Sequence, residues 1–190
     1  MILFRYLSTE NYFMKYMFTL IVLFCVVSAN AQQNVAPTLK TILLEQLKTT
    51  HNVKDWFVPV DTAIAWLTPE QANWKDSNED HSIAQLTTHL IFWNTQILYN
   101  LKGVKPPEAF NGNNKETFSP VDETSWPATV KRLDSVLTAI EDYVNSADDA
   151  KLQKFYSTIA HIGTHNAYHT GQILYIRKMK GWWNDEHGVK

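Results

Sequence analysis

The chain is almost without cysteine: among its 190 residues there is one, Cys25. A lone thiol cannot build a disulfide framework, and a cysteine-closed structural metal site is excluded with it. An excess of charge of one sign is also missing, because 17 lysines and arginines stand against 19 aspartates and glutamates. No basic stripe recommends nucleic acid as a partner. Glycine and proline are sparse, at 6 and 7, and no stretch alternates apolar and polar side chains as a half-buried strand would. No apolar run is long enough to span a bilayer, so stable membrane insertion is not expected.

The most apolar run, residues 17–27, follows Lys15 and leads into Ser-Ala-Asn-Ala31. A basic residue, a short apolar core and small residues at Ala29 and Ala31 outline a signal peptide over residues 1–31, cleaved after Ala31. Residues 1–13 do not resemble the start of such a leader, and translation from Met14 fits it better. Cys25 follows Phe24 rather than the small residue that lipid attachment needs, so it is not read as an anchor. The expectation is a protein exported to the periplasm or secreted. Residues 32–190 then form a single domain without any thiol, held by a packed core alone.

Four stretches carry helical periodicity. The first covers residues 37–66, with Leu39, Leu43, Leu47, Val53, Trp56, Val60 and Ile64 at three-to-four spacing; Pro59 is expected to kink it, giving two helical pieces of one direction rather than a straight helix. Thr68 and Pro69 then read as the cap and first residue of a short helix. Ser82 opens the second long helix, whose stripe is Ile83, Leu86, Leu90, Trp93, Ile97 and Leu101, and Gly103 ends it. The connection over residues 102–124 is long enough to be functional, or to be pinned on the bundle by Phe110 and Phe118. The third helix begins at residues 125–127 and carries Trp126, Val130, Leu133, Leu137, Ile140 and Val144. The fourth starts within residues 151–157 and runs to Gly181, with Arg177, Lys178 and Lys180 placed to complement its dipole. Four long amphipathic helices predict an all-α bundle.

The chemistry concentrates in the last helix, at His161-Ile-Gly-Thr-His165-Asn-Ala-Tyr-His169-Thr-Gly-Gln172. His165 and His169, four residues apart, project from one face and fall at the edge of the apolar arc of Phe155, Ile159, Ile162, Ile173 and Ile176. His89 flanks the stripe of the second helix in the same way. With seven histidines in the chain, an i, i+4 pair alone is a weak signal, and hydrogen-bonded interior histidines compete with metal ligands as the reading. His51, His81 and His187 lie near helix ends or in the tail, where surface placement is expected. Trp182 and Trp183 either cap the bundle or form an exposed patch for a partner, with the cap favoured.

Ser82-Ile-Ala-Gln-Leu-Thr-Thr-His89-Leu-Ile-Phe-Trp93, taken with His165-Asn-Ala-Tyr-His169-Thr-Gly171-Gln172, resembles the paired signatures of the DinB-like (YfiT-like) metalloprotein family. Leu67-Thr-Pro-Glu-Gln-Ala-Asn-Trp74 is similar to that family's link between its first two long helices. The resemblance spans nearly all of residues 32–190 and implies a four-helix bundle of up-down-down-up topology. It also implies a divalent ion, zinc or nickel, held by His89, His165 and His169, a homodimer, and in some members thiol-dependent transferase activity on a small molecule.

Three neutral imidazoles would leave the charge of such an ion uncompensated and a coordination position open, as in catalytic rather than structural zinc sites. A water or thiol in that position is acidified, which suits a hydrolase or a transferase. Tyr168, Gln172 and Gln96 lie near the ligands by helical spacing, but none is identified as a general acid or base. His161 is a supporting residue or a further ligand. An exported protein lacks the reduced thiol pool of the cytosol, which favours hydrolysis or plain metal binding over thiol transfer. Two rivals stand beside the enzyme reading: a non-catalytic metal-binding or stress-response protein, and a structural interaction bundle without metal.

Overall fold

Pro59 divides the first predicted helical stretch in two, as its missing N–H leads one to expect. In the computed structural model, which describes residue 16, residues 36–76 and residues 81–189, the helical stretch divides into α1 (Leu39–His51) and α2 (Val60–Ile64). Pro59 lacks an N–H and biases its predecessor towards extended backbone, so it serves as the extended N-cap of α2 rather than a bend within one helix. Val53 and Trp56, assigned by spacing to the buried stripe, consequently lie in the non-helical linker and are exposed. The predicted leader, the alternative start at Met14 and Cys25 lie outside the described residues.

Local signals locate the next ends. Thr68 and Gln71 form a reciprocal capping box on α3 (Pro69–Asn73), and Ser82 and Gln85 do the same for α4 (Ile83–Lys102). Gly103 ends α4 in the left-handed region at φ 69°, where a Cβ would be strained. α5 (Trp126–Ser146) buries Trp126, Leu133, Leu137, Ile140 and Val144 as the spacing required. α6 (Asp149–Met179) starts earlier than its apolar pattern suggested, because Asp148 accepts from the Lys151 N–H and caps it there. Two 3₁₀ turns complete the structure, Asn114–Thr117 and Asp185–His187. There is no strand among the described residues.

α1 packs against α5 and α6, and α4 packs against the same two, so α1 and α4 occupy opposite corners of the bundle. The interior is one cluster of aliphatic side chains, Ile83, Leu90, Leu133, Ile140, Ile159 and Ile173 among its most enclosed members. The facing surfaces of α4 and α6 are held in register by a buried amide pair, with Asn94 Nδ2 donating to Asn166 Oδ1 at 2.9 Å. Unpaired, either amide would cost the desolvation of its polar atoms, so the pair disfavours sliding of one helix past the other.

The C-terminal end departs from the dipole expectation at one residue. Arg177 turns inward and is 3 % exposed, donating to the carbonyls of Thr62, Ala63 and Trp182. Trp182 meets Trp74 edge-on and Trp183 lies beneath the Arg177 guanidinium. Both tryptophans are half-buried against the core, which is the capping arrangement. No helix among the described residues is long and apolar enough to cross a membrane.

Candidate metal centre

The register of α4 against α6 brings His89 to the pair His165 and His169. His89 and His169 are buried and His165 is half-buried, and one ring nitrogen from each lies within 4.8 Å of the others. His89 Nε2 and His165 Nε2 are 3.2 Å apart.

Hydrogen bonds decide which nitrogens carry protons. The single hydroxyl hydrogen of Thr117 goes to the Asn114 carbonyl at 2.7 Å, so Thr117 accepts from His89 Nδ1–H at 2.6 Å. His169 Nδ1–H donates to Gln172 Oε1 at 2.7 Å. Both rings therefore turn an Nε2 lone pair towards the cluster, and the outer partners fix tautomer and orientation as they do around metal-bound imidazoles. Phe118 stacks on His89 at 4.0 Å and nearly parallel, leaving the ring little freedom to rotate.

Lone pairs facing each other repel unless a proton or an ion lies between them. A second proton on any of these rings, beyond the one each neutral imidazole already carries, is disfavoured here. Burial, followed by the charges that His169, His165 and His81 would carry, pushes His89 down to about 3. Burial and then His169 take His165 down to about 4. Burial also lowers His169, against the opposing hydrogen bond to Gln172. Zinc–nitrogen bonds of about 2.0–2.1 Å in tetrahedral array place nitrogens roughly 3.3 Å apart, which the observed 3.2 Å approaches. The donor set, the tautomers and the spacing fit a divalent ion.

Above the histidines opens a cavity of about 550 Å³. Trp93, Ile97, Phe118 and Tyr168 give it apolar walls, and His161 stands on its lining without joining the three-nitrogen cluster. Trp93 and Ile97, expected in the core stripe, are half-buried because they line this opening. Of the other residues near the ligands by spacing, Gln172 orients His169, Tyr168 is exposed at the rim, and Gln96 instead donates to the Glu108 carbonyl. Thr117 and Phe118 contact His89 from the long connection, where Phe118 had been expected only as a packing residue. Its two possible roles coincide: Phe110 and Phe118 pin the connection through ring contacts to α4, and that anchoring builds one wall of the site.

His51 is not a surface residue at a helix end but is buried against Glu141 and Asp134 of α5. Burial is the largest single influence and opposes its charge, but the Glu141 hydrogen bond and the neighbouring carboxylates outweigh it and raise the imidazole above 6.5. The two histidine groups act on stability on opposite sides of that value. A raised folded pKa contributes stability present below the unfolded value and lost as pH rises through the folded one; three lowered imidazoles cost stability as pH falls below 6.5, where only the unfolded chain takes up protons. The thermal midpoint of chelator-treated protein, scanned from about pH 5 to about pH 9, is expected to peak near neutrality, with His51→Gln flattening the alkaline limb alone. An alkaline limb unchanged in His51→Gln contradicts that assignment.

An all-helical chain whose facing helices bring three imidazoles together beneath an apolar cavity has the architecture of a helical metal-binding family. The chain belongs to the DinB superfamily, whose family model matches residues 60–173, a span that contains all three histidines. No match was found among curated proteins, and none among solved structures.

Proposed function

We propose that His89, His165 and His169 hold a divalent ion, zinc or nickel, and that the protein is a metal-dependent hydrolase or transferase acting on a small molecule. The observation that carries this reading is the convergence of three neutral imidazoles, two of them with Nδ1 protons committed to fixed acceptors, on the floor of an open cavity. When bound, the ion supplies a Lewis-acidic position that lowers the pKa of a water or thiol placed beside it. The chain's own residues do the rest: Thr117 and Gln172 hold the imidazoles in place, and Trp93, Phe118 and Tyr168 pack on an apolar substrate portion and exclude water from it. Among the described residues no lysine or arginine lines the cavity, so a multiply charged thiol cofactor finds no cationic side chain there. This favours hydrolysis over transfer from such a thiol.

A leader-like segment ahead of the domain supports action outside the cytoplasm, and the family resemblance supports a homodimer. A cavity of about 550 Å³ above the histidines favours turnover over the non-catalytic alternative, because it leaves room for a small molecule beside the ion.

The test is elemental analysis of untagged protein, followed by cobalt substitution and titration with a small thiol or hydroxamate. One equivalent at the three-histidine site and a changed cobalt spectrum are expected. Protein that stays metal-free under replete conditions overturns metal binding, and a spectrum indifferent to every added ligand overturns the open position.

A further inference from the structure

Away from the three-histidine cluster, His51 at the end of α1 faces carboxylates from two other elements. Asp134 Oδ1 of α5 lies 3.1 Å from His51 Nε2, and Asp61 Oδ2 of α2 lies 3.5 Å from the same atom. On the other edge of the ring, Glu141 Oε1 is 2.6 Å from Nδ1. That short contact to a carboxylate places a proton on Nδ1 and turns Nε2 towards the two aspartates. One Nε2–H could serve only one of them, and at 3.1 Å it serves Asp134. Among the described residues, no lysine or arginine lies within 4.0 Å of Asp61, Asp134 or Glu141, so at most one imidazolium charge faces three carboxylates.

We propose that His51 Nε2, Asp61 and Asp134 form a second divalent-cation site, with Glu141 as the positioning residue for His51. The three ligand atoms lie within 4.8 Å of one another, close enough for one ion to touch all three at bond lengths of about 2.0–2.2 Å after small side-chain rotations. A carboxylate on the far nitrogen of a metal-binding imidazole is the usual means of orienting that ring and raising its basicity. His51 is 1 % exposed, whereas the side chains of Asp61 and Asp134 are 32 % and 54 % exposed, so a hydrated ion can reach the carboxylates and then engage the buried nitrogen. One nitrogen and two carboxylate oxygens suit zinc or manganese, in contrast to the all-nitrogen cluster between α4 and α6. An ion here ties the end of α1, the first turn of α2 and the middle of α5 together across the non-helical linker.

Zinc and manganese stoichiometry by equilibrium dialysis separates the two sites. Wild type is expected to take up two equivalents of zinc, His169→Ala one, Asp134→Asn one, and the double variant none. Asp134 is exposed enough for asparagine to fold in its place. As a second readout, zinc should raise the thermal midpoint of His169→Ala, and Asp134→Asn in that background should abolish the shift. A single wild-type equivalent that disappears with His169→Ala overturns this second site while leaving the first standing. Two equivalents retained in Asp134→Asn overturn it as well. Loss of only the equivalent that His169→Ala preserves supports it, whatever the fate of the three-histidine site.

Discussion

Replacing His169 with alanine is expected to weaken divalent-metal binding at the three-histidine site by more than about 100-fold, beyond the 10–100-fold typical when only an outer hydrogen-bonding partner is lost. Two imidazoles would remain, one of them half-buried, and two nitrogens cannot close enough of a coordination shell to compete with water and buffer. Thr117→Val provides the graded control. It keeps every ligand and nearly the same volume, but removes the acceptor that holds His89 in its Nδ1–H tautomer, so a loss of about tenfold or more is expected. Competition against a chromophoric chelator measures both, with far-UV circular dichroism to verify the fold. Equal affinities in wild type and His169→Ala would contradict the assignment of ligands.

Arg177→Ala is expected to cost about 2–4 kcal/mol, because it strips three carbonyls of a charged donor in a buried setting and removes the packing over Trp183. The Ala63 carbonyl, 2.6 Å from Nη1, belongs to α2, which at five residues is too short to stand without tertiary support. Nη2 binds the Trp182 carbonyl at 3.1 Å, so the same guanidinium joins α2 to the C-terminal cap. At roughly 2–4 °C per kcal/mol for a chain of this size, the thermal midpoint should fall by about 5–15 °C. Arg177→Lys should recover only part of the loss, since one ammonium cannot reproduce the planar fork. A midpoint within about 2 °C of wild type in Arg177→Ala would show that water satisfies these carbonyls instead.

Local order was legible wherever the cause is local. Ser82 with Gln85, and Gly103 after Lys102, bracket α4 because caps depend on residues within one turn. In the first helical stretch a division at Pro59 was legible, but the linker ahead of it was not, for the complementary reason. Val53 and Trp56 keep the three-to-four spacing, but the chain leaves the helix at Asn52 and re-enters only after Pro59, and periodicity does not register such a break. Arg177 looked like an exposed cation at a helix terminus. Its burial depends on where α2 and Trp182 are placed, far away in sequence or around a turn.

The amino-acid sequence by itself determined an all-helical chain, the face that each long helix buries, and the pairing of His165 with His169 on one of those faces, because a period of 3.6 residues is a property of the backbone. The resemblance of the segment around His89 named the third histidine, but which surfaces meet was decided only in three dimensions. Packing of α4 against α6, locked by Asn94 and Asn166, brings His89 within 3.2 Å of His165. Anchoring of the long connection delivers Thr117 and Phe118 to His89, and docking of α2 and α5 on α1 surrounds His51 with carboxylates. Each of these contacts joins residues whose separation along the chain carries no periodic signal, so only side-chain packing could specify it.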